Sequence, residues 1–217
     1  MKILYVNRLN FTSPYPSLEA ISDKLDGQVS RNNIDEANLS DFPYKPDVKF
    51  AIGHTDNEIM LKYFITEEYF KAEKTISNQM VCEDSCVEFF VSPAGDGIYY
   101  NMEFNGTGTC LMGSGTAREN NNRADPDIIS GIRRMTSVGK LPVAERTGQF
   151  SWDITIAIPV NVFFLHTTER LGGKTFRANF YKCGDKLSVP HYLTWNPVNT
   201  RNPDFHQPDY FGILKFQ

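Results

Sequence analysis

No stretch of this sequence approaches the roughly 20 apolar residues that a membrane-spanning helix needs. The opening M-K-I-L-Y-V-N-R-L-N is too short an apolar run for a signal peptide. Taken as it stands, the chain is expected to be soluble and cytoplasmic, with export open if a leader has been removed. Basic runs are missing, and a formal net charge of -4 leaves no footprint for nucleic acid or an anionic membrane surface. Neither is an expected partner. Cysteine is sparse: Cys82, Cys86, Cys110 and Cys183 are four in 217 residues, far from a disulfide-dense scaffold. Cys82 and Cys86 lack the second pair of a zinc-finger spacing, so buried thiols are expected, with a disulfide or a metal as alternatives. Phosphate loops, nucleotide fingerprints and a Ser/His/Asp order are absent, as are internal repeats, and helical periodicity is almost absent.

What is present is β-type patterning. Charged residues make up 22% and hydrophobic ones 41%, ordinary globular usage, and the length suits one all-β domain over residues 1–217. Residues 1–46 form an N-terminal extension: an early edge strand at Ile3 to Val6, a loop through Pro14 and Pro16, and a short helix from Ser17. In that helix Leu18, Ile21 and Leu25 fall at helical spacing, with Ser17 as cap and Gly27 as stop. V-K-F-A-I-G-H and I-M-L-K-Y-F-I-T flank T-D-N-E, a hairpin signature. Glu67 to Ile76 is charged and fits a helical turn. Further strands are expected at Ile128 to Val138, at Phe150 to Ile158 with Trp152 facing the core, and at T-F-R-A-N-F-Y-K-C. The tail from His191 carries prolines before its last strand and reads as loop over the surface. Many short strands between turns give an all-β, antiparallel, jelly-roll-like β-sandwich with one or two short helices.

The most informative stretch runs from Cys82 to Asn105, where two strands flank S-P-A-G-D-G. Strand side chains alternate between faces. Tyr100, Met102 and Phe104 therefore share one face while Asn101, Glu103 and Asn105 share the other. In the preceding strand Glu88 lies on the face of Cys86 and Phe90. Arg177, Asn179 and Tyr181 make a similar polar face further on. Rows of acid and amide groups suit polyhydroxylated ligands, because they supply acceptors and donors at strand spacing.

E-D-S-C-V-E-F-F-V-S-P, Y-Y-N-M-E-F-N-G-T-G, S-W-D-I-T-I-A-I-P, F-R-A-N-F-Y-K-C-G-D, P-H-Y-L-T-W-N-P-V and P-D-F-H-Q-P-D-Y-F-G-I-L-K-F occur in that order. From Asp47 to the C-terminus this series resembles the family 9 carbohydrate-binding modules, and more closely their stand-alone form in gut Bacteroidetes. The resemblance implies a β-sandwich that binds a mono- or oligosaccharide without chemistry, in the setting of polysaccharide utilisation, often with structural calcium and no required cofactor. It also implies that two tryptophans clamp a sugar ring while acids and amides hold its hydroxyls. Trp195 matches the C-terminal aromatic and Glu88 the acidic strand residue. The other tryptophan would fall at Cys82 and is absent, which leaves Tyr99 or Tyr192 as replacements. The expected ligand-binding set is Trp195, Glu88, Asn101, Glu103, Asn105, Arg177, Asn179, Tyr181 and His191.

Each of these residues also has a plainer reading. Trp195 could anchor its loop on the core, Glu88 could pair with Arg177, and the polar strand faces could simply be solvated. His191 and His206 with Asp204 or Asp209 could hold a metal. The loop R-E-N-N-N-R-A-D-P-D leaves weak calcium binding open, although its carboxylates do not follow an EF-hand. Two rivals come from other classes: a xylanase-related glycoside hydrolase using Glu88 and Glu103, and an assembly domain that has lost the sugar site.

Overall fold

The computed structural model describes residues 1–13 and 15–217; Pro14, in the expected opening loop, lies outside the described residues. The chain forms strands β1 (Ile3–Arg8), β2 (Asn32–Asn33), β3 (Asp47–His54), β4 (Glu58–Ala72), β5 (Cys86–Ser92), β6 (Tyr99–Asn105), β7 (Cys110–Gly115), β8 (Asn122–Arg123), β9 (Arg133–Thr136), β10 (Val143–Pro159), β11 (Thr175–Cys183), β12 (Tyr192–Thr194) and β13 (Gly212–Phe216). Its helices are α1 (Leu18–Gln28) and α2 (Pro126–Ser130).

One sheet runs β8-β7-β6-β5-β11-β13-β1 and the other β1-β3-β4-β10-β9, so β1 joins the two. Residues Ile3 to Val6 pair with β13, whereas Asn7 and Arg8 pair with β3. Both of these pairings are parallel. The sandwich is therefore mixed at its seam, where β1 runs in the same direction as both β13 and β3, and antiparallel elsewhere.

The inner faces carry the core predicted by alternation. Val87, Phe89 and Val91 of β5, Tyr100, Met102 and Phe104 of β6, and Ile154, Ile156 and Ile158 of β10 are all buried in one cluster. At about 25 cal/mol per Å² of apolar area removed from water, such a layer supplies most of the driving force for folding. Trp152 is in this core as expected.

Helix α1 begins as predicted, with the Ser17 hydroxyl accepting from the Ala20 amide at 3.2 Å, and its Ile21 and Leu25 pack on Ala51, Met60 and Ala157 of the second sheet. Gly27 does not stop it; the helix continues to Gln28. Two segments differ more from the sequence reading. Glu67 to Ala72 continues β4 rather than turning helically, because Phe70 and Ala72 alternate into the core. The segment expected as one strand from Ile128 to Val138 is split: Asp125 caps α2 by accepting from the Asp127 amide, Pro126 fits its first turn, and the strand starts only at Arg133.

Candidate functional site

Glu88 and Glu103 stand directly opposite one another on β5 and β6, and Tyr181 of β11 faces Glu88 from the other side. All three point away from the inner core. The turn joining β5 and β6 uses Gly95 and Gly97 at φ 68° and 90°, a region that glycine enters without strain.

Instead of meeting solvent, this outer face is covered. Residues Val198, Phe205, Tyr210 and Phe211 of the tail pack over Phe90, Tyr99 and Tyr181, while Val81, Cys86, Leu111 and Cys183 form a second apolar patch beside Cys82 and Tyr192. Between the two patches lies a cleft of about 390 Å³. Glu88, Glu103, Phe90 and Cys183 line it together with Tyr192, Asp185, Phe205, His206 and, from the segment after β7, Arg118, Asn121 and Arg123.

Burial governs its electrostatics. Glu88 is 3% exposed and Glu103 5%. Removal from water pushes Glu88 well above the ordinary carboxyl range, and its neighbour Glu103 pushes it further. Glu103 is raised to about 7, chiefly by burial, while the Asn101 amide donating at 2.9 Å pulls the other way. Asp185 is also raised by burial. A carboxyl that keeps its proton both donates and accepts, as sugar hydroxyls do. Arg118 is tied to Asp204 at 2.7 Å, and the Asn121 amide donates to Asn101 at 2.8 Å. Phe205 stacks on Tyr181 with centroids 4.2 Å apart and 11° between planes, and Tyr192 meets Phe205 edge-on. These rings form an aromatic wall.

Of the expected set, Glu88 and Glu103 line the cleft, with Asn101 and Tyr181 directly behind them. The others do different work. Trp195 is 4% exposed and sits in the core, edge-on to Phe50 and Phe180. Its ring is so closed in that a Cβ on Gly212 would lie 2.5 Å from it. The loop anchors rather than presents this aromatic. Asn105 binds Asp84 and the Lys74 carbonyl, and Asn179 donates to the Asn196 carbonyl while accepting from its amide. Arg177 donates to the carbonyls of Asp209 and Phe211, so it does not pair with Glu88.

His191 is buried on the inner side. Its Nε2 accepts from Lys182 at 2.7 Å, and burial lowers it to about 2, with Lys182 adding to the shift. His206 instead meets the Tyr99 hydroxyl at 2.6 Å, so the two histidines do not form a metal pair. Tyr99 is buried beneath the tail, which leaves Tyr192 as the tyrosine on the cleft. Among the described residues, the one group of three or more His, Cys, Asp or Glu side chains close enough for a shared ion is Cys86, Glu88 and Cys183. Its two sulfurs do not fit calcium, which takes oxygen ligands, and Asp125 of the asparagine-rich loop is used as a helix cap.

Sequence reasoning missed Arg118, Asn121, Arg123, Asp185 and Phe205, and weighed His206 only as a metal ligand. The available signal was the run R-E-N-N-N-R, dense in donors between a glycine-rich strand and a proline.

Residues 19–216 match the family model described as carbohydrate-binding family 9. A crystal structure of a candidate carbohydrate-binding protein from Bacteroides uniformis is 42% identical, with 100% of this chain and 99% of that one covered and a TM-score of 0.96. Two structures of a family 9 module from Caldicellulosiruptor kristjanssonii share the fold. The one in complex with glucose is 12% identical, with TM-score 0.63 and 100% and 96% of the chains covered. The one with cellotriose is 15% identical, with TM-score 0.58 and 100% and 94% covered. No curated protein sequence matches the chain.

Proposed function

The chain belongs to carbohydrate-binding family 9, and from that premise we propose that the cleft over Glu88 and Glu103 holds a short saccharide and that the protein acts by binding alone. One observation carries the proposal. A single cleft brings together paired buried carboxyls, amide and guanidinium donors, and an aromatic wall. Sugar rings need this combination, since their edges are hydroxylated while their C–H faces pack on apolar rings. A volume of about 390 Å³ is at the small end for ligand sites, which favours the end of a saccharide over a long chain.

In this reading Glu88 and Glu103 take the hydroxyls at the floor, Arg118, Asn121 and Arg123 donate from one side, and Tyr192 and Phe205 replace the absent tryptophan clamp. Calorimetric titration with glucose, cellotriose and a wider saccharide panel tests it. Wild type should give heat with at least one sugar, and Glu88→Gln should weaken that sugar by roughly tenfold, about the worth of one well-made hydrogen bond. No heat with any sugar would end the proposal.

The facing carboxyl pair favours one second reading, a glycoside hydrolase, because paired acids flank the scissile bond in such enzymes. Release of reducing sugar that disappears in Glu103→Gln would establish it. Saccharide binding without release would exclude it.

A further inference from the structure

Cys86 of β5 and Cys183 of β11 stand directly opposite each other, and Glu88 follows Cys86 on the same face of β5. Their two sulfurs and one carboxylate oxygen lie within 4.8 Å of one another. The Cys183 thiol donates to Glu88 Oε1 at 3.0 Å, and the Cys86 sulfur is 4.0 Å from that oxygen. All three side chains are nine-tenths or more buried, yet Glu88 and Cys183 line the cleft.

We propose that Cys86, Cys183 and Glu88 form a binding site for one thiophilic divalent cation, with zinc the best match. Two sulfurs in three donors select zinc, cobalt or cadmium over calcium and magnesium. Three protein ligands on two paired strands leave the remaining position to a water molecule on the cleft side, the composition of an open zinc site.

The cation displaces a proton from each thiol and from Glu88, leaving two thiolates and one carboxylate around a dipositive ion. The resulting single negative charge falls in a cleft that Arg118 and Arg123 line together with the acidic Glu103 and Asp185. Cys110, although equally buried, belongs to β7 and lies outside the cluster.

Cobalt is the probe, added to the 217-residue chain kept reduced with a phosphine and free of sugar. One equivalent should bind and produce both sulfur-to-cobalt charge-transfer absorption and the visible bands of tetrahedral cobalt. Zinc should then displace it, with proton release in weakly buffered solution. The double variant Cys86→Ala, Cys183→Ala should lose the charge-transfer absorption, whereas Cys110→Ala should keep it. Should the double variant fail to fold, Glu88→Gln keeps both thiols and is expected to weaken cobalt at least roughly tenfold. Absence of charge-transfer absorption in wild type, or its survival in a folded double variant, would overturn the site, as would unchanged cobalt affinity in Glu88→Gln. Saccharide titration of chelator-treated protein reports separately on the sugar reading, so failure of one does not imply failure of the other.

Discussion

At the scale of single residues, Trp195 and Glu103 are expected to act on stability in opposite directions. Trp195 lies in the core against Phe50, Phe180 and Gly212. Trp195→Ala is therefore expected to cost about 3–5 kcal/mol of stability, the usual loss for truncating a large core aromatic. Saccharide affinity of the folded fraction should stay within error of wild type, as denaturant melts paired with titrations would measure. Glu103 has the opposite signature. Its folded-state carboxyl is raised from 4.5 to about 7, so its stabilising protonated form is fully present below 4.5 and is lost as pH rises through 7. Glu103→Gln keeps an acceptor for Asn101 and removes the penalty of ionisation. In chelator-treated protein it should unfold at higher urea than wild type at pH 8, by roughly 1–3 kcal/mol, and show little gain at pH 4. His206 acts at the other end of the range. Burial lowers it from 6.5 to about 4, so stability falls as pH drops through that window, visible as a wild-type loss absent from His206→Gln.

At the scale of strands, face alternation was legible in the sequence and coverage was not. Glu88, Asn101 and Glu103 fall on the face that alternation assigns them. The burial of that face depends on where residues after Trp195 return, which no local pattern encodes. The same limit explains Trp195: a tryptophan in a proline-rich loop reads equally well as presented or anchored, and only the close approach of Gly212 decides it. Glu67 was misread because its charged surroundings hide its partner. Lys182 of β11 reaches it at 2.9 Å across the sandwich, with both side chains fully buried, and the Trp152 indole donates to it at 2.7 Å. Removing one member leaves an unpaired buried charge. Lys182→Met should therefore destabilise by about 3–5 kcal/mol, whereas Lys182→Met with Glu67→Leu should recover much of that loss. A double-mutant cycle of chemical denaturation gives the answer directly.

At the scale of the whole molecule, β1 connects the sheets, pairing with β13 through one half and β3 through the other. The inner core draws on both sheets in one cluster. We propose that residues 1–217 unfold as one domain, including the N-terminal extension whose helix α1 is tied to β4 by Lys62 and Asp26 at 2.8 Å. Scanning calorimetry should show a single transition with equal calorimetric and van't Hoff enthalpies; two resolved transitions would divide the chain. A rigid sandwich of this kind also explains why the cleft can be preformed, its floor fixed by the β5–β6 ladder and its wall by the stack of Phe205 on Tyr181. The most direct test of that cleft as the saccharide site is a backbone NMR titration with the best-binding sugar of the calorimetric panel. Shifts are expected to concentrate at Glu88, Glu103, Asn121, Asp185, Tyr192 and Phe205. Shifts centred elsewhere, such as the second cleft around Tyr44 and Gly148, would contradict it.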